Sequence, residues 1–369
     1  MKRLIINIFP LVFLCLGFYS CEKWTEVEAD DFELKGNTAE YYANLRLWKA
    51  TAGDRPVSFG WFGGWNGEGA SMASSLAGLP DSLDMVSIWG DWKTLTEARK
   101  KDLEYVQKVK GTKVLICSFD GYVGEGVTPD GMAKGSQELY DYWGWDPNAT
   151  GKNEEPNDAQ KAAIAKYARA FYDMVVERGY DGLDIDHEPT VNGVPDDLAE
   201  STPRMKVFIQ ELSKYFGPKS NTGLILAVDG EPQTTLSEVG DCFDWFIVQA
   251  YNCSGYTNLN ARLTACVNHH ASTLTPEEVA KKYIATENFE NATNRINGGC
   301  DFGQEDGTKT KSYFGMAAWE PLVNGKRYAK GGCGVYHIEY AYSVAGQEGF
   351  YPFTRKAIQI MNPANHSGN

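Results

Sequence analysis

Short apolar segments rich in β-branched and aromatic residues alternate along this chain with segments of helical periodicity. The segment 161–178 carries Ile164, Tyr167 and Phe171 at helical spacing, and a second helix is predicted at 204–216. Eight of the apolar segments are predicted strands: residues 57–61, 85–89, 114–119, 182–186, 223–228, 245–249, 283–286 and 334–338. Strands that alternate with helices are typical of βα units, and eight of them suit a closed (β/α)8 barrel of the α/β class.

The first residues are typical of an export signal. Lys2 and Arg3 precede an apolar stretch that is too short for a membrane span, which predicts a signal peptide over 1–20. Ser20 and Cys21 resemble a bacterial lipoprotein cleavage site, with Cys21 as the acylated residue. The alternative is an ordinary signal peptide followed by a stray cysteine. We expect an exported outer membrane lipoprotein that faces the cell surface and contacts the membrane through this anchor only.

The remaining chain is predicted to hold one catalytic domain. Residues 21–53 form the acylated tether and an N-terminal segment, 54–362 the barrel, and 363–369 a polar tail. The insertion at 123–158, after the third strand, carries Gly, Pro and a group of aromatic residues, and loops of this length are usually functional or disordered. The aromatic residues favour an ordered loop that forms one wall of a ligand cleft.

Composition excludes several classes of partner. The net charge of −14 argues against nucleic acid and against an anionic membrane surface, and we expect a monomer. Six cysteines remain after Cys15 and Cys21, and their pairing stays open, although Cys117 lies in an apolar run that favours a buried free thiol. Because no CxxC or histidine-rich cluster occurs, no metal or organic cofactor is predicted.

Residues 181–188 read Asp-Gly-Leu-Asp-Ile-Asp-His-Glu. In a strand, the two-residue period would point Asp184, Asp186 and Glu188 to one face and the residues between them to the other. Crowded carboxyl groups raise one another's pKa, so one of them can hold a proton near neutral pH and act as a general acid. The alternative is a solvated strand end or a calcium loop, but calcium loops place glycine in mid-turn and lack this alternation.

This run resembles the DGxDxDxE signature of glycoside hydrolase family 18 at every fixed position. The resemblance implies a (β/α)8 TIM barrel with the signature on its fourth strand. It makes Glu188 the acid and base, Asp186 the residue that orients the 2-acetamido group of the substrate, and Asp184 its electrostatic support. Tyr251 resembles the tyrosine of that family that hydrogen-bonds the acetamido carbonyl; the alternative for Tyr251 is packing at the barrel rim.

Active sites of such barrels lie at the carboxyl ends of the strands. Aromatic planes stack on sugar rings while amides and acids bond the hydroxyls, so the polar and aromatic residues at these ends are candidates for substrate binding. They are Trp61, Trp89, Asp120, Gln249, Asn252, Glu287 and Tyr340. A solvated loop is an equal alternative for Glu287 and for Asp229, and either Tyr336, Tyr340 or neither replaces the tryptophan that is common on the last strand of chitinases.

Three functions follow from the resemblance. The first is an endo-β-N-acetylglucosaminidase that cuts the GlcNAc-β1,4-GlcNAc core of N-glycans by a retaining, substrate-assisted mechanism, because Gln249 and Asn252 around Tyr251 resemble the endoglycosidase branch. The second is a chitinase-like hydrolase, and the third a glycan-binding barrel without catalysis. Relatives of the third kind typically replace the acidic residues that this chain keeps as Asp186 and Glu188.

Overall fold

The computed structural model describes residues 37–69, 71–189, 197–234 and 236–364. Within these ranges no helix combines the length and the apolar content that a membrane span requires. The predicted signal peptide, Cys21 and the tether as far as residue 36 lie outside the described residues, so the lipid anchor stays a prediction. We expect Cys21→Ser to move the protein from the membrane fraction to the soluble fraction, and an unchanged membrane fraction would contradict the anchor.

Eight parallel strands form a closed barrel in the order β1-β2-β3-β4-β5-β6-β7-β12, and β12 closes it against β1. Two small hairpins, β8 with β9 and β10 with β11, lie outside the barrel sheet. The strands are β1 Val57–Phe62, β2 Met85–Ile88, β3 Lys113–Phe119, β4 Gly182–His187, β5 Ile225–Gly230, β6 Trp245–Val248, β7 Tyr283–Asn288, β8 Asp301–Gly303, β9 Lys309–Lys311, β10 Leu322–Val323, β11 Lys326–Arg327 and β12 Gly332–Tyr336. The predicted (β/α)8 barrel is confirmed.

The helices are α1 Ala39–Lys49, α2 Glu97–Tyr105, α3 Gln137–Trp143, α4 Asp158–Arg178, α5 Thr202–Leu212, α6 Tyr256–His269, α7 Pro276–Lys282, α8 Ala292–Asn297, α9 Ser312–Ala318 and α10 Pro352–Met361. Helix α4 illustrates why they form where they do. Asn157 and Gln160 make a capping box at its start, and Gly179 ends it in the left-handed region at φ 74°. Its apolar stripe, which includes Tyr167 and Phe171, is fully buried against the neighbouring layer.

Two buried clusters follow from the two-residue period of the strands. Inward residues such as Phe59, Leu115 and Ile247 fill the barrel, and the alternate residues pack against the helices. On β4 the outward residues are Leu183 and Ile185, both buried in the outer cluster. The inward positions that alternate with them on β4 are occupied by Asp184 and Asp186.

The structure changes some predicted boundaries. Strand β5 begins at Ile225 rather than at residue 223, because Gly223 adopts a left-handed conformation at φ 79°. The compact unit begins at Thr38, and Nζ of Lys49 on α1 donates to the Leu83 carbonyl oxygen at 2.6 Å and to Thr112 Oγ1 at 2.7 Å. Helix α1, which lies in the predicted N-terminal segment, thus belongs to the same compact unit as the barrel.

The insertion at 123–158 is ordered and contains α3. Trp143 and Trp145 are buried in it, whereas Tyr142 is 39% exposed. Trp143 Nε1 donates to Thr128 Oγ1 at 2.9 Å, and its ring meets Tyr167 on α4 edge to face at 5.6 Å. Two of the predicted wall aromatics therefore fasten the insertion to the barrel rather than contact a ligand.

Candidate active site

The carboxyl groups of the 181–188 run project from the inward face of β4, as predicted. Asp184 is fully buried within the barrel, and its Oδ2 accepts a hydrogen bond from Trp61 Nε1 at 3.0 Å. Asp186 is partly exposed above it, and Glu188 follows directly after the last strand residue. The strand therefore arranges the three acids as a ladder from the barrel core towards solvent.

A fourth carboxyl group joins the ladder from β5. Asp229 pairs in register with Asp186 and is 1% exposed. The chain turns immediately after it at Gly230, where φ is 84° and a Cβ would stand 2.6 Å from the His187 carbonyl oxygen and 2.9 Å from Glu188 Cγ. Glycine is required at this position because any side chain would displace Glu188.

Burial raises the pKa of each of these acids. It raises the pKa of Asp184 to about 6. Burial and then the Glu188 charge raise the pKa of Asp186 well above its ordinary value, and burial with the Asp186 and Asp184 charges does the same for Asp229. Burial also raises the pKa of Glu188, against an opposing hydrogen bond from Gln249. These shifts favour the protonated forms of the acids, and the raised pKa of Glu188 favours the state that a general acid needs.

Residues from β6 complete the polar side of the site. Gln249 Nε2 donates to Asp229 Oδ1 at 3.1 Å. Tyr251 lies two residues further on the same inward face, and burial raises the pKa of its hydroxyl well above the ordinary value. Tyr251 thus stays a neutral phenol that can donate a hydrogen bond. Its ring lies 6.1 Å from that of Tyr336 on β12, at an interplanar angle of 23°.

These side chains surround a cleft of about 280 Å³, which we call the carboxylate cleft. It is lined by Trp61, Trp89, Cys117, Asp186, Glu188, Asp229, Gln249, Tyr251, Asn288, Glu290 and Tyr336. Trp61 is 2% exposed at the floor, whereas Trp89 is 43% exposed at the rim. Both rings meet the Tyr336 ring edge to face, at 6.1 and 5.9 Å. A polar wall of acids and amides therefore faces an aromatic wall, the combination that suits a sugar.

The structure brings together six of the predicted site residues in the lining of this cleft, and Asp184 lies below them. It adds Glu290 and Cys117, which the sequence did not indicate, and it places Asn288, considered with Glu287 as a hydroxyl contact, in the lining. It also answers the question left open for the last strand, because Tyr336 lines the cleft and Tyr340 does not.

Asp120 was predicted to bind substrate, and the structure contradicts this. Asp120 is fully buried on the outward side of β3, where its Oδ2 bonds His187 Nδ1 at 2.7 Å. His187 Nε2 lies 3.2 Å from Thr234 Oγ1, after β5. The Asp120–His187 pair therefore links the ends of three neighbouring strands behind the cleft, and neither residue is part of the cleft lining.

Glu287 and Asn252 are corrected in the same way. Glu287 is fully buried and its Oε1 accepts from the backbone N–H groups of Asn252 and Asn288 at 3.0 and 2.7 Å. Asn294 Nδ2 donates to Asn252 Oδ1 at 2.9 Å. Neither the substrate contact nor the solvated loop that the sequence left open for Glu287 is correct: it is a structural acid that ties β6 to α8.

Tyr340 lies outside the cleft, in a short 3-10 turn after β12. Its ring stacks on the His337 ring at 4.2 Å between centroids. The Arg295 guanidinium lies over the Tyr340 ring, 5.4 Å from its centroid. Tyr340 is 45% exposed and contributes nothing to the cleft lining. The predicted substrate contact is therefore not supported by its position.

Cys117, Asp184 and Asp229 bring a thiol and two carboxyl groups within 4.8 Å of one another. A metal would need these groups deprotonated. Burial raises the pKa of Cys117 well above its ordinary value, and the carboxyl pKa values are raised as well. The arrangement holds protons more readily than a cation, and the Cys117 thiol is free and buried, as predicted.

Replacing Asp184 with asparagine is expected to raise the free energy of unfolding near pH 8 by up to about 3 kcal/mol. The pKa of about 6 lies above the ordinary value of 3.8. The protonated group stabilises the fold fully below the ordinary pKa, and this contribution is lost as pH rises through the folded pKa. Asparagine keeps an acceptor for Trp61 and never ionises. Chemical denaturation near pH 4 and pH 8 measures the difference, and an equal gain at both pH values would contradict it.

The sequence and the fold were compared with those of known proteins. A family model described as glycoside hydrolase family 18, BT1044-like, matches residues 24–360. Endo-β-N-acetylglucosaminidase F2 of Elizabethkingia meningoseptica is 28% identical over 230 residues, which cover 59% of this chain and 56% of that protein. The chain thus spans little more than half the length of that curated relative.

Solved structures share the architecture over most of their length. A selenomethionine-labelled variant of BT1044 superimposes with a TM-score of 0.71 at 29% identity, over 88% of this chain and 93% of that one. An endo-β-N-acetylglucosaminidase variant from Cordyceps militaris, in complex with fucosyl-N-acetylglucosamine-Asn, gives a TM-score of 0.60 at 22% identity, over 89% and 97%. The second similarity concerns the barrel fold alone.

Proposed function

Because the chain belongs to glycoside hydrolase family 18, we propose that it is an endo-β-N-acetylglucosaminidase that cleaves the GlcNAc-β1,4-GlcNAc core of N-glycans. The observation that carries the proposal is the meeting of Asp186, Glu188, Gln249 and Tyr251 in one cleft. The similarity to endo-β-N-acetylglucosaminidase F2 supports the choice of substrate.

We propose that the reaction is substrate-assisted, with retention of configuration. Glu188 donates its proton to the glycosidic oxygen while the 2-acetamido carbonyl oxygen attacks the anomeric carbon, so that the glycosidic bond breaks and an oxazolinium ion forms. The raised pKa of Glu188 supports this role, since the group must be protonated before the bond breaks.

Asp186 and Tyr251 hold the acetamido group in this scheme. Tyr251 donates to its carbonyl oxygen, for which the phenol must stay neutral, and the raised pKa of Tyr251 supports that state. Asp186 accepts from the acetamido N–H and stabilises the positive charge that develops on the ring. Glu188, now ionised, then removes a proton from water. The water oxygen attacks the anomeric carbon and opens the oxazolinium ring, which restores the acetamido group with overall retention of configuration.

Mass spectrometry of the products tests the proposal. The protein is incubated separately with an N-glycosylated protein and with chitin oligomers, and a Glu188→Gln sample controls for contaminating glycosidases. We expect a single GlcNAc to stay on asparagine and a free glycan to carry the second GlcNAc. Release of chitobiose from chitin oligomers, with the glycoprotein untouched, would instead make the protein a chitinase. Binding of glycans with no cleavage of either substrate would make it a non-catalytic barrel.

A further inference from the structure

A second cavity, of about 770 Å³, opens at the same end of the barrel as the carboxylate cleft. Its walls come from Tyr122 and the insertion at 123–158 on one side and from Asp197 and Arg204 on the other, and we call it the insertion cavity. The segment from Asp120 to Tyr122 runs between the two: Asp120 bonds His187, next to Glu188, while Tyr122 lines the insertion cavity. The segment 120–122 thus runs from the His187 side of β4 to the wall of the insertion cavity.

The walls of the insertion cavity are preformed. Arg204, on α5, donates from Nη1 to the Asp197 carbonyl oxygen at 2.7 Å and from Nη2 to the Pro147 carbonyl oxygen at 2.8 Å. Trp145 Nε1 donates to Asp197 Oδ2 at 3.0 Å. These bonds join the insertion to the segment after β4, so a ligand would not have to order the walls on binding.

The lining offers aromatic faces and free polar atoms. Tyr122 and Tyr140 are partly exposed and line the cavity together with the exposed Asn148. Across the part of the chain that the structure describes, neither phenol hydroxyl and no atom of the Asn148 side-chain amide forms a hydrogen bond. Aromatic faces beside unused donors and acceptors suit a sugar, whose C–H faces stack while its hydroxyls bond.

The charges around the insertion cavity compensate one another. Lys152 forms an ion pair with Glu200. Lys134 lowers the pKa of Glu125 and of Asp197 through its charge, although burial raises the pKa of these two acids overall, to about 7 and about 6. The charge of Arg204, which also lines the cavity, is opposed by Asp197, so each of the three cations has an acid near it. A neutral ligand fits this balance better than an anionic one.

We propose that the insertion cavity is a subsite for a neutral hexose or N-acetylhexosamine on an outer branch of the glycan whose core lies in the carboxylate cleft. The inference rests on the proposed function and adds the branch as a determinant of specificity. The Tyr140 ring supplies a stacking face, and Tyr122 and Asn148 bond the hydroxyls.

Helix α3 provides a matched pair of variants for the test. Tyr140 lines the insertion cavity, whereas Tyr142, two residues along the same helix, packs on Trp143 beneath the Lys166 ammonium group and takes no part in the lining. We expect Tyr140→Ala to lower kcat/KM about 10-fold on a glycopeptide with neutral branches, as one aromatic contact predicts, and Tyr142→Ala to leave it unchanged. Thermal melting checks that both variants fold, and Asn148→Ala, in an exposed loop, repeats the test.

The same glycopeptide after enzymatic removal of its outer branches separates the possible outcomes. On this trimmed substrate, Tyr140→Ala and wild type must have equal kcat/KM. An equal loss on the branched and trimmed substrates, or none on either, overturns the subsite. A loss confined to branches that end in an anionic sugar overturns the neutral ligand. If wild type cleaves neither glycopeptide, the proposed function fails instead, and a direct binding measurement with the released branched glycan then decides the subsite by the same comparison of Tyr140→Ala with Tyr142→Ala.

Discussion

Replacing Glu188 with glutamine is expected to lower kcat about 10³-fold on any substrate that the wild type cleaves. Glutamine preserves the shape of the side chain and its hydrogen bond to Gln249 but has no proton to give to the leaving oxygen. Binding should change little, because the cleft walls from β6 and β12 are untouched. The change should therefore appear in kcat and not in the dissociation constant for an uncleaved glycan, which calorimetry with the variant measures directly.

The same motif provides the control. Asp181 is also a carboxylate of the 181–188 run, but it lies at the opposite end of β4, where its Oδ2 accepts from Gln107 Nε2 at 2.7 Å and from the Val114 backbone N–H at 2.9 Å. Asp181→Asn should lower the melting temperature and leave kcat within a factor of about two, because it acts on the fold alone. A Glu188→Gln protein with more than a tenth of wild-type kcat would exclude Glu188 as the general acid.

The fold was predictable because its signals are local. Each barrel strand was recognisable as a short run bounded by polar or glycine residues. Each of the eight begins in the structure within two residues of its predicted start. The N-terminal boundary was not predictable in this way. Helix α1 is mostly exposed, and it is held by its buried residues Tyr42, Leu45 and Lys49, the last of which bonds to residues far away in the chain.

The two-residue period also explains which site residues were predicted correctly. Inward side chains of β6 include Ile247, and the same parity continues through Gln249 to Tyr251, past the end of the strand. Asn252 occupies the alternate, outward position, and its φ of 54° turns the chain there. On β7 the inward residue is Ile284, so the two-residue period places Asn288 inward, in the cleft. Glu287 then faces outward, towards α8. Applied strictly, the two-residue period would have favoured Asn288 over Glu287 as the substrate-binding candidate of β7.

The same argument covers β3 and β12. Leu115 and Cys117 face inward on β3, so Asp120 faces outward. On β12 the outward residues Cys333 and Val335 leave Tyr336 inside, whereas Tyr340 lies beyond the strand, where parity no longer applies. What parity alone could not provide is the position of Asp229 beside the acids of β4, since this depends on the register between β4 and β5.

Replacing Asp186 with asparagine is expected to lower kcat about 10²-fold, less than the Glu188 change, because asparagine still bonds the acetamido group but cannot offset the positive charge that develops on the ring. The role of Asp186 depends on the acetamido group itself. Wild type should therefore cleave a substrate analogue with a 2-hydroxyl group at least about 10²-fold more slowly than the 2-acetamido substrate, and on that analogue Asp186→Asn should cost almost nothing further.

A rival mechanism makes the opposite prediction. If Asp186 were itself the nucleophile, as in most retaining glycosidases, the 2-hydroxyl analogue would react and Asp186→Asn would abolish its cleavage. A glycosyl ester on Asp186, detected by mass spectrometry of the quenched enzyme, would then establish the covalent route. Rates for the two substrates with the two proteins thus decide between the acetamido oxygen and the carboxylate as the attacking group.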